Sequence, residues 1–186
     1  MKRRIVITCL LLISFSFLMS DINLGIGMDL PGNHEFSGNG NSIDRDSKMG
    51  FEVFAEYLAP LSEASGMNIE GGIGAAYLLP RGVDNEIFKD ATFSFIPLYL
   101  LGQVSTSGEG NIFFGKLRAG YDLFSGNDDY SGDNDLNGGL FLGFGGGIIM
   151  SNNIFAELSY QILNGGDDEM DLKESHLSIL VGFKMK

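Results

Sequence analysis

From Ile22 onward, apolar residues fall on alternate positions: Ile22, Leu24, Ile26 and Met28, separated by Asn23, Gly25, Gly27 and Asp29. Side chains of a β-strand alternate between its two faces, so this spacing predicts a strand with one apolar face. The pattern returns at Phe51, Val53, Ala55 and Tyr57, and again at Met67, Ile69, Ile73, Ala75 and Tyr77. It recurs at Phe113, Leu117, Ala119 and Tyr121, at Ile154, Ala156, Leu158 and Tyr160, and at Leu177, Ile179, Val181, Phe183 and Met185. Two further segments, 92–103 and 139–150, are apolar or glycine on both faces and are also read as strands, making eight in all. Pro97 lacks an amide hydrogen for the ladder and predicts a bulge in its strand.

The connections alternate in length. Those at 31–48, 80–90, 125–137 and 164–174 are long and polar, while those at 60–65, 104–110 and 151–153 are shorter. Long loops at one end and tight turns at the other describe an all-β, eight-stranded antiparallel up-and-down transmembrane β-barrel, with the long loops outside the cell. Strands of about 10 to 13 residues match the length needed to cross a bilayer at a tilt.

The segment 1–20 is of another kind. Lys2, Arg3 and Arg4 precede an apolar run that ends at Met19 and Ser20, which predicts a secretory signal peptide cleaved after Ser20. The run is too short for a transmembrane helix. The barrel domain is then 21–186. Removing the signal takes away three basic residues and the single Cys, so the net charge goes from −12 to −15 and no disulfide can form. A closed hydrogen-bonded sheet supplies the stability that small exported domains otherwise draw from disulfides. So acidic a chain repels phosphate backbones, which excludes nucleic acid as a general partner.

A soluble barrel alternates too, but with its apolar set inside. Here the apolar face of the clean strands carries no charge, and aromatics gather at its two ends. Phe51, Tyr77, Phe93 and Tyr121 fall towards the loop end, and Tyr57, Tyr99, Phe113 and Phe183 towards the turn end. Two aromatic girdles mark a lipid-facing surface, so the lipid of the outer membrane is the expected partner of this face. The other face is rich in glycine, of which the chain has 27, and small residues fit the crowded interior of a narrow barrel.

The signal peptide, the eight alternating segments, the alternation of loop lengths and the final strand LSILVGFKMK together resemble the small outer-membrane β-barrels of OmpA/OmpX type. The resemblance covers the whole of 21–186. It implies the outer membrane as location, and a structural or surface-interaction role.

Parity assigns the polar interior. Asp29, Glu52, Glu56, Glu70, Asp122 and Glu157 face Lys116, Arg118 and Lys184, and the expected pairs are Arg118 with Glu52 and Lys116 with Glu70. Charges in so narrow a lumen must be paired, hydrogen-bonded or wet, so the network reads as a plug, with an ion path as the alternative. Gly139, Gly143, Gly145 and Gly147 share one face beside Arg118 and leave room for a long side chain to cross. Asp133, Asp135 and Asn137 match the opening of a calcium loop, but Phe144 stands where the bidentate Glu belongs, which excludes an EF-hand. What remains is an acidic loop with Asp128 and Asp129, near Asp167, Asp168, Glu169 and Asp171, for which a weakly held divalent cation is the one cofactor to consider. His176 and Ser178 have the spacing of barrel-shaped lipid A deacylases, yet Ile179 follows where those enzymes have Asn, and parity turns both inward.

These readings converge on a non-enzymatic envelope or surface-interaction barrel with long acidic loops, a plugged lumen and a surface ligand or a host or envelope protein as partner. A small porin-like channel is the alternative, and a deacylase a more distant one. N-terminal sequencing of protein recovered from outer membranes is expected to begin near Asp21. Retention of residues 2–20 would exclude the signal.

Overall fold

Alternation along the strands, closed into a ring, sets the architecture. The computed structural model describes residues 20–38, 41–82, 92–108, 110–127, 137–166 and 171–186. They form β1 (Asp21–Asp29), β2 (Asn33–Gly38), β3 (Asn41–Asp46), β4 (Gly50–Ala64) and β5 (Met67–Gly82). There follow β6 (Thr92–Thr106), β7 (Ile112–Gly126), β8 (Asn137–Ile149), β9 (Ile154–Gly166) and β10 (Asp171–Met185). Eight of these, in the order β1-β4-β5-β6-β7-β8-β9-β10, pair antiparallel with their neighbours, and β10 closes on β1 from Ile22↔Met185 to Asp29↔Ser178. The chain is an up-and-down eight-stranded β-barrel. The segment expected to be a signal, 1–20, lies outside the described residues apart from Ser20.

The polar connection expected at 31–48 is not a loop. After a break at residues 30–32, β2 continues β1 along the same edge of β10, from Asn33↔Ser175 to Ser37↔Asp171. The pair Asn33↔Asp46 keeps the register of Asp29↔Gly50, so β3 likewise prolongs β4. The first two barrel strands thus rise beyond the ring as a hairpin. At the other end, β4 and β5 meet in a two-residue turn at Ser65 (φ 51) and Gly66 (φ 81), tighter than the connection expected at 60–65. Positive φ at both central residues matches the twist of the flanking strands.

Following cross-strand partners around the ring gives its tilt. Asn68 leads through Ser105, Phe114, Gly147, Glu157, Leu180, Gly27 and Glu52 to Leu78, ten residues further along β5. Ten residues at ~3.3 Å over eight strands ~4.8 Å apart tilt the strands by about 40°.

The predicted bulge at Pro97 is absent. Pairing with β7 runs straight through Pro97↔Asp122, and the register with β5 is the same on either side, at Ala75↔Leu98 and Leu78↔Phe95. The missing donor interrupts the β5 ladder between those two pairs without shifting it. The real shifts lie between Pro60 and Ser62, between Leu78 and Arg81, and between Gly138 and Leu142.

Apolar side chains point outward, Ile26 being 66% exposed, Leu100 69% and Leu117 68%. The apolar face of β4 from Phe51 to Leu61 covers about 25 Å along the barrel axis at this tilt. Phe51, Tyr77 and Tyr121 stand at its loop end, and Tyr57, Phe113 and Phe183 at its turn end. Phe93 and Tyr99, expected in these girdles, are instead buried in the lumen. Their strand is apolar on both faces, so alternation alone does not orient it; Ile96, Leu98 and Leu100 take the outer face.

Candidate functional site

Inward positions on the eight strands carry the polar residues. Glu52 and Glu56 come from β4, Glu70 from β5, Lys116, Arg118 and Asp122 from β7, Glu157 from β9 and Lys184 from β10. Glu52, Glu56, Glu70, Lys116, Arg118, Asp122 and Glu157 are buried, and Lys184 lies at the turn-end mouth.

At mid-barrel, two bases meet two acids. Lys116 Nζ lies 2.7 Å from Glu56 and 3.2 Å from Glu157, while Arg118 reaches Glu56 at 2.8 Å and Glu157 at 2.5 Å. Glu56 also accepts hydrogen bonds from Tyr99 Oη (3.2 Å) and Asn23 Nδ2 (3.3 Å). The quartet is electrically neutral. Room for it comes from β8, where a Cβ on Gly145 would stand 2.6 Å from Glu157 Oε1. On the turn side lie Phe114, Phe155 and Leu58, with Lys116 Nζ 5.2 Å from the centre of the Phe114 ring, and Phe54 packs 6.0 Å from Phe155.

The expected pairs are therefore corrected. Arg118 binds Glu56 and Glu157 rather than Glu52, and Lys116 binds the same two acids rather than Glu70. Glu70 pairs with Lys184 at 3.0 Å and accepts from Gln103 at 2.6 Å, and Lys184 also holds Asp21 at 2.8 Å. Glu52 accepts from Gln161 Nε2 at 2.8 Å.

Gln161 leads on to an upper cluster. It donates to Ser178 Oγ (3.2 Å), which donates to Asp29 Oδ1 (2.7 Å). Arg81 lies 3.5 Å from Asp29 and pairs with Glu174. His176 Nδ1 stands 3.0 Å from Arg81 Nη2, and His34 Nδ1 lies 3.3 Å from Glu174 Oε2. Asp122, fully buried, accepts from the Asn164 amide at 3.2 Å. Aromatic rings close this level: Phe95 and Phe124 stack at 4.8 Å, and His34 lies 4.4 Å from Phe93.

Arg81 and His34 escape the alternation rule. The shift between Leu78 and Arg81 turns Arg81 inward, and His34 arrives on the hairpin that replaces the expected loop. Asn23, Ser159 and Gln161, by contrast, follow from the parity of their strands. His176 and Ser178 point inward, and the Ser178 hydroxyl donates to Asp29. Of the calcium-loop residues, Asp133 and Asp135 lie outside the described residues, as do Asp128, Asp129, Asp167, Asp168 and Glu169. Asn137 opens β8 and Asp171 opens β10, both exposed. No group of three or more His, Cys, Asp or Glu among the described residues is arranged to hold a metal ion.

Among solved structures, the chain is similar to the outer-membrane enzyme PagL, at 14% identity and a TM-score of 0.55 over 88% of this chain and 98% of that one. It is also similar to Neisserial surface protein A, at 11% identity and 0.53 over 89% and 97%. The attachment invasion locus protein Ail of Yersinia pestis aligns over 89% and 97% at 16% identity, with a TM-score of 0.42. At these identities the first two show a shared fold, that of small outer-membrane β-barrels. No family model and no curated protein matches the sequence.

Removing one member of the quartet leaves a buried charge without its partner. Arg118→Ala is expected to cost about 3 to 5 kcal/mol, and Arg118→Ala with Glu157→Ala to recover part of this by restoring neutrality around Lys116 and Glu56. Denaturant unfolding in micelles measures both. A double variant as unstable as the sum of the single ones would show that the charges act independently.

Proposed function

We propose that the chain is an outer-membrane β-barrel whose lumen is sealed, and whose task is carried by the face it presents above the membrane. The observation that carries this reading is the filling of the lumen. Eight strands enclose a space about as wide as the side chains that line it. Here that space holds the neutral quartet of Lys116, Arg118, Glu56 and Glu157, with aromatic residues on either side of it along the barrel axis. An ion crossing the barrel would have to displace both.

The membrane placement is supported by the apolar outer face, its aromatic ends and its height of about 25 Å, which fits the apolar band of such barrels. Residues 1–20 act in this reading as the export signal. The non-enzymatic part is supported by the burial of Ser178 and by its bond to Asp29. An envelope-structural or surface-interaction role, with a surface ligand or a host or envelope protein as partner, is what a sealed barrel with a raised hairpin is built to serve.

Purified protein in planar bilayers is expected to give no steady conductance. Large, stable single-channel steps from the monomer would replace this reading with the porin-like one. The membrane placement has its own test in one substitution made at two heights. Ile26→Arg, inside the apolar band, is expected to destabilise the barrel in bilayers by about 2 to 4 kcal/mol, and Ile43→Arg, on the hairpin, to cost little. Equal tolerance of the two would point to a soluble barrel.

A further inference from the structure

On the outer wall, just above the apolar band, the strands enclose a polar cleft of about 500 Å³. Two rows of cross-strand partners build it. One runs from Glu35 through Lys173 to Asn164, and the other from Ser37 through Asp171 and Gly166 to Asn137. The hollow exists because the β8–β9 ladder breaks between Gly138 and Leu142, and because Gly166 brings no side chain to the outward row between Asp171 and Asn137. Below it, Ile162 on β9 and Leu177 on β10 begin the apolar face.

The geometry points to a saccharide site. Two carboxylates, one ammonium, two carboxamides and one hydroxyl line the cleft, a mixture of donors and acceptors with a net charge of −1. That balance disfavours phosphate or sulfate, and the absence of any aromatic lining residue disfavours an apolar ligand. Neighbouring hydroxyls on a sugar ring are both donors and acceptors, which is the demand this set meets. Two of the side chains are already positioned. Ser42 Oγ donates to Glu35 Oε1 at 2.9 Å, leaving the second oxygen for ligand, and Asn164 Nδ2 is tied to the Leu140 carbonyl at 2.5 Å, leaving Oδ1 as an acceptor. In the membrane placement proposed above, on which only the source of the ligand rests, the cleft stands at the height of lipid headgroups. The ligand is then the sugar of an outer-leaflet glycolipid or a free oligosaccharide of the same chemistry.

The test is amide chemical-shift titration of the full barrel in phosphocholine micelles, which carry no sugar. The first probe is the deacylated core oligosaccharide of lipopolysaccharide, free in solution. The second is the barrel in nanodiscs with lipopolysaccharide, against nanodiscs of phosphatidylglycerol. Saturable shifts at Asn137, Gly139, Asn164 and Gly166 are expected, from both probes if a free saccharide suffices and from the nanodiscs alone if the lipid is required. Lys173→Ala combined with Asn137→Ala, both at exposed positions, is expected to weaken binding about tenfold or more, as the loss of one charge-assisted and one neutral hydrogen bond implies. Absence of saturable shifts from both preparations overturns the site, as does unchanged affinity in the double variant. Shifts of the same residues with inorganic phosphate alone overturn the saccharide assignment. None of these outcomes depends on conductance or on Ile26→Arg, so failure here and failure of the sealed-barrel reading are separable.

Discussion

The closure of β10 onto β1 after eight strands, displaced by ten residues, governs the rest of the molecule. A ring of this size and tilt has an interior that side chains fill, so each inward position must suit its opposite neighbours in volume and in charge. Glycines on β8 follow from this constraint, because Gly145 and Gly147 stand where a Cβ would strike Glu157 or the backbone of β9. So does the pairing of charge. With Phe54, Phe114 and Phe155 packed beside it, the quartet has little water to screen it, and its members are held by one another. A buried network of this kind contributes less to net stability than to a single arrangement of the strands, since a slip of one residue would send every charge to the apolar face.

The strands with contrasting faces were legible from their residues alone. Ile22 to Met28 alternates without exception and Leu177 to Met185 does so but for Leu180, and the ladder that closes the ring pairs these two segments. Where contrast fails, so does the inference. Residues 92–103 are apolar on both faces, and the girdle positions assigned to Phe93 and Tyr99 fell on the wrong side of the sheet. β2 and β3, with the sequences NHEFSG and NSIDRD, are polar on both faces and carry no period that separates them from a loop. Their strand character comes from their neighbours: β10 and β4 supply an edge in register, and the chain follows it.

The ion pairs failed for a geometric reason. A row of cross-strand partners is not level in a tilted barrel but climbs by about 3 Å per strand. Strand order alone puts Glu52 near Arg118, yet the climb brings Glu56 on β4 and Glu157 on β9 level with Lys116 on β7, and sets Glu70 beside Lys184 near the turn end. Residue identity and parity select which side chains enter the lumen. The displacement around the ring decides which of them meet, and that quantity depends on every turn and bulge at once.

The division between filled interior and outer wall follows from the same register. Because β2 and β3 keep the pairing of β1 and β4, the raised hairpin is an extension of the barrel wall, anchored from inside by His34 against Glu174 and Phe93. A surface built on continued strands costs less ordering entropy when it engages a partner than one built on free loops. The cleft gains from this directly. Glu35 and Ser37 come from the hairpin and Asn164 from β9, and β10, which carries Asp171 and Lys173 between them, fixes the distance. Beneath it His34 of the hairpin meets Glu174, which in turn pairs with Arg81, so the upper lumen cluster and the cleft share the wall formed by β2 and β10.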